Sequence, residues 1–363
     1  MSSLRELLSA AIAQNASDIH LKLGRPPFFR VHGKLTPQGE RPLTSDELLR
    51  VGTEIIPAHA RRSYEANHEA DFSLTEEGVG RFRCTVFNTQ MTPSFALRHV
   101  KTKVPTFDEL GLPPILKGIA LAPRGIVLAA GTTGCGKSTT LAALLQRINQ
   151  NLNRRIITIE DPIEYVFTDE QSVISQREVG LDTHSFNSGL RHVLRQDPDI
   201  IMIGEMRDAE SFIAALQAAE TGHLIFSTLH TDTAGQTLPR ILNFFPPNMR
   251  DQIRMSLAIN LQAVICQRLV PAVSGRVVPA VEIMLNTPTV QKLIEKNLLE
   301  KLPAAIETGA EDGMLSFNQS LYQFIKNGTV SEEAGLQFAT NAEALKMNLK
   351  GIFLDEARRI LSN

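Results

Sequence analysis

The segment GTTGCGKST at residues 131–139 is the most restrictive feature of this sequence, because it contains the phosphate-binding pattern G-x-x-x-x-G-K-[ST]. The apolar run GIVLAA precedes it directly, and a helical pattern follows it. Between a strand and a helix, the glycines allow backbone N–H groups to surround phosphate oxygens. The sequence therefore predicts a nucleotide site, whose candidate residues are Gly131, Thr132, Thr133, Gly134, Cys135, Gly136, Lys137, Ser138 and Thr139.

Three side chains of this loop have expected properties. Lys137 can reach the β- and γ-phosphates of ATP, and the hydroxyl of Ser138 can ligate Mg²⁺. Cys135 has two interpretations. It is either a small side chain that fits between two glycines, which is the favoured one, or an acidic, redox-sensitive thiol beside Lys137 and a helix N-terminus.

Strand and helix patterns alternate around this loop. Continuous apolar runs predict strands at 125–130, 155–159, 199–203 and 223–228, and helical spacing predicts helices at 186–196 and 209–220. From about residue 287 onward the pattern is mostly helical. Such alternation indicates an α/β fold with a largely parallel sheet that is covered on both faces.

The first hundred residues have a different pattern. A helix is predicted at 3–14, a strand at 19–23, a hairpin at 30–35 and further strands at 81–87 and 94–98, which is typical of a small α+β domain. Prolines and a glycine then interrupt residues 101–114. We therefore expect an N-terminal domain at 1–100, a linker at 101–112 and a nucleotide-binding domain at 113–363, with C-terminal helices from about residue 287.

Acidic and imidazole side chains follow the predicted inner strands. Glu205 ends the apolar strand of DIIMIGE, as the carboxylate of a Walker B element does, and the box EDPIE at 160–164 places three carboxylates after another strand. His230 closes a third strand. The alternatives are a solvated strand-end charge for Glu205, a polar turn set by proline for the acidic box, and a structural role for His230.

Composition narrows the function classes. The chain has 363 residues and a net charge of -2, which argues against a nucleic-acid binder held mainly by charge. Cys84, Cys135 and Cys266 are widely spaced, so neither a disulfide framework nor a cysteine zinc site is expected, and a reducing compartment fits best. We find neither an apolar run of the ~18–20 residues that span a bilayer nor the apolar block of a signal peptide. A soluble, cytoplasmic protein is expected.

Four segments together resemble one family. GTTGCGKST, ITIEDPIEY, DIIMIGEMRD and STLHTDTAGQTLPRI occur in the order seen in type II/IV secretion ATPases. Within that superfamily, the stretches ASDIHLKLGRPPFFRVHGKL, GRFRCTVF and ETGAEDGMLSFNQSL resemble the PilT/PilU group of type IV pilus retraction ATPases. The resemblance covers nearly the whole chain.

This resemblance implies a homo-hexameric ATPase of twitching motility, in which a PAS-like N-terminal domain packs on the RecA-like domain of the neighbouring subunit. ATP and Mg²⁺ would lie between the two domains. Lys137 and Ser138 would contact the phosphates and Mg²⁺, and Glu205 would help to organise the metal. The resemblance implies that Glu164 is the general base or water-orienting carboxylate and that His230 is the γ-phosphate sensor. Arg81, Arg83 and, more weakly, Arg98 would contact the nucleotide from the N-terminal domain. Arg195 and Arg240 match basic positions of the RecA-like domain.

The family also implies partners and a location. These are the inner-membrane platform protein of the pilus machine, a paralogous retraction ATPase, and the cytoplasmic face of the inner membrane, with no nucleic acid and no transmembrane segment.

Two departures from the family pattern bear on the kind of motor. Residues 288–297, PTVQKLIEKN, retain little of the AIRNLIRE segment of PilT-type retraction ATPases, which favours a PilU-like accessory motor or a divergent paralogue. The phosphate loop has Thr-Thr and Cys where the family often has Pro-Thr and Ser, and neither change removes a backbone N–H.

Three alternatives to a pilus retraction ATPase remain. One is a pilus extension or type II secretion ATPase, which usually has a four-cysteine zinc module. Another is a RecA-like nucleic-acid motor, and the last is a non-hydrolysing regulatory subunit.

Overall fold

The structure is a computed structural model that describes residues 3–31, 33–101 and 103–352. These residues form two compact units. The N-terminal unit comprises the chain up to Lys103 together with the short segment Pro162–Val166. The C-terminal unit comprises Val104–Asp161 and the chain from Phe167 onward. Within the described ranges, no helix has both the length and the apolar character needed to cross a bilayer.

The described part of the N-terminal unit folds as an antiparallel sheet with helices. The strand order is β3-β2-β1-β6-β5-β4. In chain order the elements are α1 (Leu4–Ala13), β1 (Ala16–Leu21), β2 (Phe28–Val31), β3 (Lys34–Pro37), α2 (Ser45–Ile55), α3 (Ala58–Asn67), β4 (Glu69–Glu76), β5 (Gly80–Thr89) and β6 (Thr92–Val100).

Local sequence explains where these elements start and which side they bury. The Ser3 hydroxyl accepts a hydrogen bond from the backbone N–H of Glu6 and caps α1. Along β5 the side chains alternate, so Phe82 and Cys84 are buried in the core while Arg81 lies on the opposite face. One face of the sheet is therefore apolar and packed, and the other carries polar side chains.

The C-terminal unit contains a sheet of order β13-β12-β7-β11-β10-β8-β9. All neighbouring pairs are parallel except β12 and β13, which form an antiparallel pair at one edge. Its strands are β7 (Gly125–Ala130), β8 (Arg155–Glu160), β9 (Val173–Glu178), β10 (Ile200–Ile203), β11 (Leu224–Leu229), β12 (Leu261–Pro271) and β13 (Val277–Leu285).

Helices follow or flank these strands. They are α4 (Phe107–Leu110), α5 (Ile115–Ile119), α6 (Lys137–Asn151), α7 (Phe186–Val193), α8 (Ala209–Glu220), α9 (Ala234–Leu242), α10 (Pro247–Asn260), α11 (Pro288–Glu295), α12 (Leu302–Thr308), α13 (Phe317–Lys326), α14 (Glu332–Phe338) and α15 (Ala342–Leu349), with 3₁₀ helices at Leu299–Lys301 and Ala310–Asp312.

Both faces of this sheet are buried. Along β7, Ile126 and Leu128 belong to one apolar cluster, whereas Val127 and Ala129 belong to another on the opposite face. The prediction of an α/β fold with a largely parallel sheet is confirmed. Because β7, β11, β10 and β8 are parallel neighbours, the loops that follow them meet at one sheet edge.

Some predicted elements end elsewhere. The helix predicted at 186–196 ends at Val193, and Asp197 adopts a left-handed backbone with φ of 53°. Within the segment predicted as a linker, Thr106 and Glu109 form a capping box that starts α4. Phe107 of this helix is buried in the core of the C-terminal unit. The hairpin of β12 and β13 was not predicted.

Candidate active site

The phosphate loop connects β7 to α6. Helix α6 has Gly136 as its N-cap, with φ of 96° and no side chain to cap the first turn. The first backbone N–H groups of a helix have no intrahelical partner, so they can donate to a bound anion. A Cβ at Gly136 would lie 2.6 Å from Nε2 of Gln267, and one at Gly131 would lie 2.5 Å from Sγ of Cys135. Only glycine therefore fits at either end of the loop.

Lys137 is buried, at 8% exposure, and its ammonium group lies against the loop itself. Its Nζ donates to the carbonyl oxygens of Gly131 at 2.8 Å and Thr132 at 2.9 Å. A phosphate oxygen is a stronger acceptor for an ammonium group than a neutral carbonyl. Ser138 follows in the first turn of α6 and is half-buried. These groups fit a nucleotide phosphate with its Mg²⁺.

Glu205 and His230 meet at the same sheet edge, after β10 and β11. Nε2 of His230 lies 3.1 Å from Oε1 of Glu205, and Arg207 donates to Oε2 of Glu205 at 2.6 Å. Burial raises the pKa of Glu205, but Arg207 and His230 outweigh burial and hold this pKa below its ordinary value of 4.5. The carboxylate is thus ionised at neutral pH and can ligate a cation.

Backbone contacts fix the two strand ends that carry these groups. The N–H of Gly204 donates to the carbonyl of Ile159 at 2.8 Å, and the Thr228 hydroxyl donates to the carbonyl of Gly204 at 2.6 Å. Hydrogen bonds between neighbouring strands therefore hold the backbone just before Glu205 and near His230.

The acidic box is divided between the two units. Glu160 ends β8 and is buried, where it accepts hydrogen bonds from the Thr158 hydroxyl at 2.6 Å and Nε2 of Gln176 at 3.1 Å. Glu164 is exposed and belongs to the Pro162–Val166 segment of the N-terminal unit. Each unit thus holds one of these two glutamates.

His230 and Arg240 line one cavity of about 380 Å³, formed at the start of α9. The guanidinium of Arg240 lies 5.4 Å from the ring centroid of Phe244. Arg195 is exposed just after α7. The other lining residues of the cavity are Thr231, Asp232, Gly235, Gln236, Pro239 and Asn243.

The three predicted arginines of the N-terminal unit share the polar face of its sheet. Arg83 and Arg98 are directly paired between β5 and β6. Nε of Arg98 donates to Oδ1 of Asp18 at 2.9 Å. Burial raises the pKa of Asp18, but the Ser17 hydroxyl and Arg98 outweigh it, so this pKa lies below its ordinary value of 3.8.

The loop cysteine is buried, as are the other two cysteines of the chain. Burial raises the pKa of the Cys135 thiol, and Lys137 offsets only part of this effect. The structure therefore favours packing, and not an acidic thiol, as the reason for a cysteine at this position.

Two buried polar residues of the unpredicted hairpin contact these segments. Gln267 of β12 contacts the phosphate loop. Oε1 of Glu282, on β13, accepts the N–H of Ala234 at 2.7 Å, at the start of α9. Burial raises the pKa of Glu282. In the sequence, Gln267 and Glu282 each stand inside an apolar run. Because glutamine and glutamate are rarely buried without a hydrogen-bond partner, this position was the available signal that each contacts another segment.

A largely parallel sheet with a phosphate loop after the inner strand β7, His230 after the adjacent strand β11 and Glu205 after the next strand, β10, defines a P-loop ATPase. Comparison with known proteins narrows this class. Residues 1–313 match the family described as type II/IV secretion system protein.

Individual relatives match over most of their length. The type IV pilus ATPase PilU of Pseudomonas aeruginosa is 40% identical over 346 residues, which cover 95% of this chain and 91% of that protein. The pilus retraction ATPase PilT of the same organism is 41% identical over 330 residues, covering 91% and 96%. A crystal structure of the pilus retraction motor PilT with bound ADP has 40% identity and a TM-score of 0.89, and the match covers 95% of this chain and 99% of that one. The chain belongs to the type II/IV secretion system protein family and, within it, to the group of PilT and PilU.

Proposed function

We propose that this chain is an ATP-hydrolysing motor that powers the retraction of a type IV pilus. The observation that carries the proposal is a complete phosphate loop with buried Lys137, beside the Glu205–His230 pair. This site occurs in a chain about as similar to PilT as to PilU, at 41% and 40% identity. An autonomous PilT-like motor and an accessory PilU-like motor both agree with these values.

In the proposed reaction, water attacks the γ-phosphorus of ATP, and the bond to the β–γ bridging oxygen breaks to give ADP and phosphate. The loop N–H groups and Lys137 would hold the phosphates, and Ser138 and Glu205 would hold Mg²⁺. The ion would neutralise charge on the phosphate oxygens. Glu164 would orient the attacking water or accept its proton, and His230 would contact the γ-phosphate.

We further propose a homo-hexamer in which a PAS-like N-terminal domain at 1–100 and a RecA-like domain at 113–363 of the next subunit enclose each ATP. Arg81, Arg83 and Arg98 support this, because they share the polar face of the N-terminal sheet and arginine suits phosphate recognition. In the same arrangement Arg195 and Arg240 would supply further positive charge to the nucleotide.

The proposed partners are an inner-membrane platform protein of the pilus machine and a paralogous retraction ATPase. Binding to the platform would place the motor at the cytoplasmic face of the inner membrane. These proposals rest on the PilT and PilU relatives.

Deletion of the gene in the source organism tests the function. We expect the deletion strain to be hyperpiliated and unable to twitch. The wild-type gene should restore twitching, and so should a gene with Lys34→Ala, which changes an exposed lysine of β3. A gene with Lys137→Ala should not restore it. Bald cells would indicate an extension ATPase. Normal pili with altered DNA handling would indicate a nucleic-acid motor. Repeating the test in a strain that lacks the paralogue separates a PilT-like from a PilU-like motor.

A further inference from the structure

Gln267 joins the central part of β12 to the phosphate loop. Its side chain is buried, at 5% exposure. Nε2 donates to the carbonyl of Cys135 at 2.7 Å, and Oε1 accepts the Thr140 hydroxyl at 2.7 Å. The two contacts lie on either side of Lys137, one in the loop and one in the first turn of α6. We propose that Gln267 is a positioning residue that holds this loop in its phosphate-binding conformation before nucleotide arrives.

The backbone of Gln267 limits the loop as well. β12 pairs in parallel with β7 up to the match of Cys266 with Ala130, so Gln267 comes next to Gly131. A Cβ at Gly131 would lie 2.6 Å from the carbonyl oxygen of Gln267. Both glycines that flank the loop thus pack directly on this one residue, one on its backbone and one, Gly136, on its carboxamide.

The chemistry of the site requires a carboxamide. The Cys135 carbonyl can only accept, so the amide nitrogen of Gln267 faces it and the amide oxygen faces Thr140. Methionine has a similar shape but can replace neither bond. Its introduction would leave a buried carbonyl without its donor, which carries a large desolvation cost.

This role predicts a specific kinetic signature. Gln267 contacts the loop and not the nucleotide, so its loss lowers the fraction of chains with a preformed loop. Apparent affinity falls in proportion to that fraction. Once ATP is bound and the loop is ordered, turnover proceeds at nearly the normal rate. The proposal rests on the assignment of this loop as the nucleotide site.

The test compares the purified full-length Gln267→Met variant with wild type. We expect the dissociation constant for ADP and the KM for ATP to rise about tenfold, the effect of losing roughly one to two buried hydrogen bonds, with kcat within about twofold. Thr140→Val should raise both constants by less, because the Cys135 contact remains. The double variant should resemble Gln267→Met, because both substitutions remove one shared bond. Gln291→Met, on α11, is the matched control and should leave both constants unchanged.

Unchanged ADP affinity and KM in Gln267→Met, or a loss of kcat at unchanged KM, would overturn the role of Gln267. If urea denaturation shows that Gln267→Met is not folded, Thr140→Val becomes the deciding variant. An unchanged dissociation constant for ADP and an unchanged KM for ATP in Thr140→Val would then overturn the proposal. A wild-type chain that binds no ADP, or binds it equally well as Lys137→Ala, would refute the nucleotide site itself. If Lys137→Ala abolishes ADP binding but Gln267→Met leaves it unchanged, only the positioning role of Gln267 is refuted.

Discussion

Nε2 of His230 lies 3.1 Å from Oε1 of Glu205, so the residues that follow two neighbouring strands are joined by one contact. The same carboxylate also accepts a hydrogen bond from Arg207. A displacement of the His230 ring therefore changes the environment of Glu205 directly. The proposed phosphate sensor and the proposed metal ligand are coupled within a single contact.

The two proposed catalytic glutamates should respond differently to amide substitution. Glu164→Gln should retain ATP binding but lower turnover at least about 100-fold, because the amide keeps the shape and cannot accept the proton. Glu205→Gln should instead weaken Mg²⁺-dependent ATP binding about tenfold, because it removes a charged ligand. Titrations with and without Mg²⁺, together with steady-state rates, measure both effects. Glu311→Gln, in the exposed 3₁₀ turn, is the control, and equal affinities and rates in both variants would contradict this division of roles.

Asp18→Asn should destabilise the N-terminal unit by about 1 kcal/mol or less, because its partner Arg98 is largely exposed and screened by water. The pKa of Asp18 is lowered in the folded state, so this contribution is present above pH 3.8 and is lost as the pH falls through the lowered pKa. Thermal unfolding at pH 7 measures the loss. Asp108→Asn, whose partner Lys117 is 3.5 Å away, is a surface control. A variant as stable as wild type at pH 7 would show that the pair adds nothing.

Glu282 should make stability depend on pH in the opposite direction. Its folded pKa is raised, so its contribution is present below its ordinary value of 4.5 and is lost as the pH rises through the folded value. Glu282→Gln does not titrate. The free energy of unfolding of wild type relative to this variant should therefore fall as the pH rises from 4.5 to the raised folded pKa, by at most about 1.4 kcal/mol per pH unit. Urea unfolding at several pH values measures it, with Glu300→Gln as an exposed control. A pH-independent difference would rule out the raised pKa.

The thiols of the native protein should react slowly with a disulfide reagent at pH 7.5. All three cysteines are buried, and burial raises the pKa of each thiol, so little thiolate is available. We expect three equivalents to react only after addition of urea. Cys135→Ser provides the comparison. A rapid native reaction that this substitution removes would establish the acidic thiol at the phosphate loop.

The sequence was informative where a pattern is local. The apolar run of β7, the glycines after it and the helical spacing of α6 are contiguous, so the loop could be placed without knowledge of the fold. Glu205 and His230 could also be assigned to strand ends, because their strands are continuous apolar runs.

The residues that support the site could not be found in this way. Gln267 is 132 residues from Cys135, and Glu282 is 48 residues from Ala234, so only the pairing of strands brings them together. The split of the acidic box was equally hidden. The apolar run before EDPIE places Glu160 at a strand end, but nothing in these letters indicates that Glu164 belongs to a different compact unit.

The division of the acidic box between two units has a consequence for the exchange of gene segments by recombination. The N-terminal unit includes Pro162–Val166, and within it the N–H of Val166 donates to the carbonyl of Lys101 at 3.2 Å. A recombination event that exchanges only the first 103 codons therefore transfers an incomplete unit and leaves its last piece in the old gene. Transfer of the complete N-terminal unit would require both of its segments, Met1–Lys103 and Pro162–Val166.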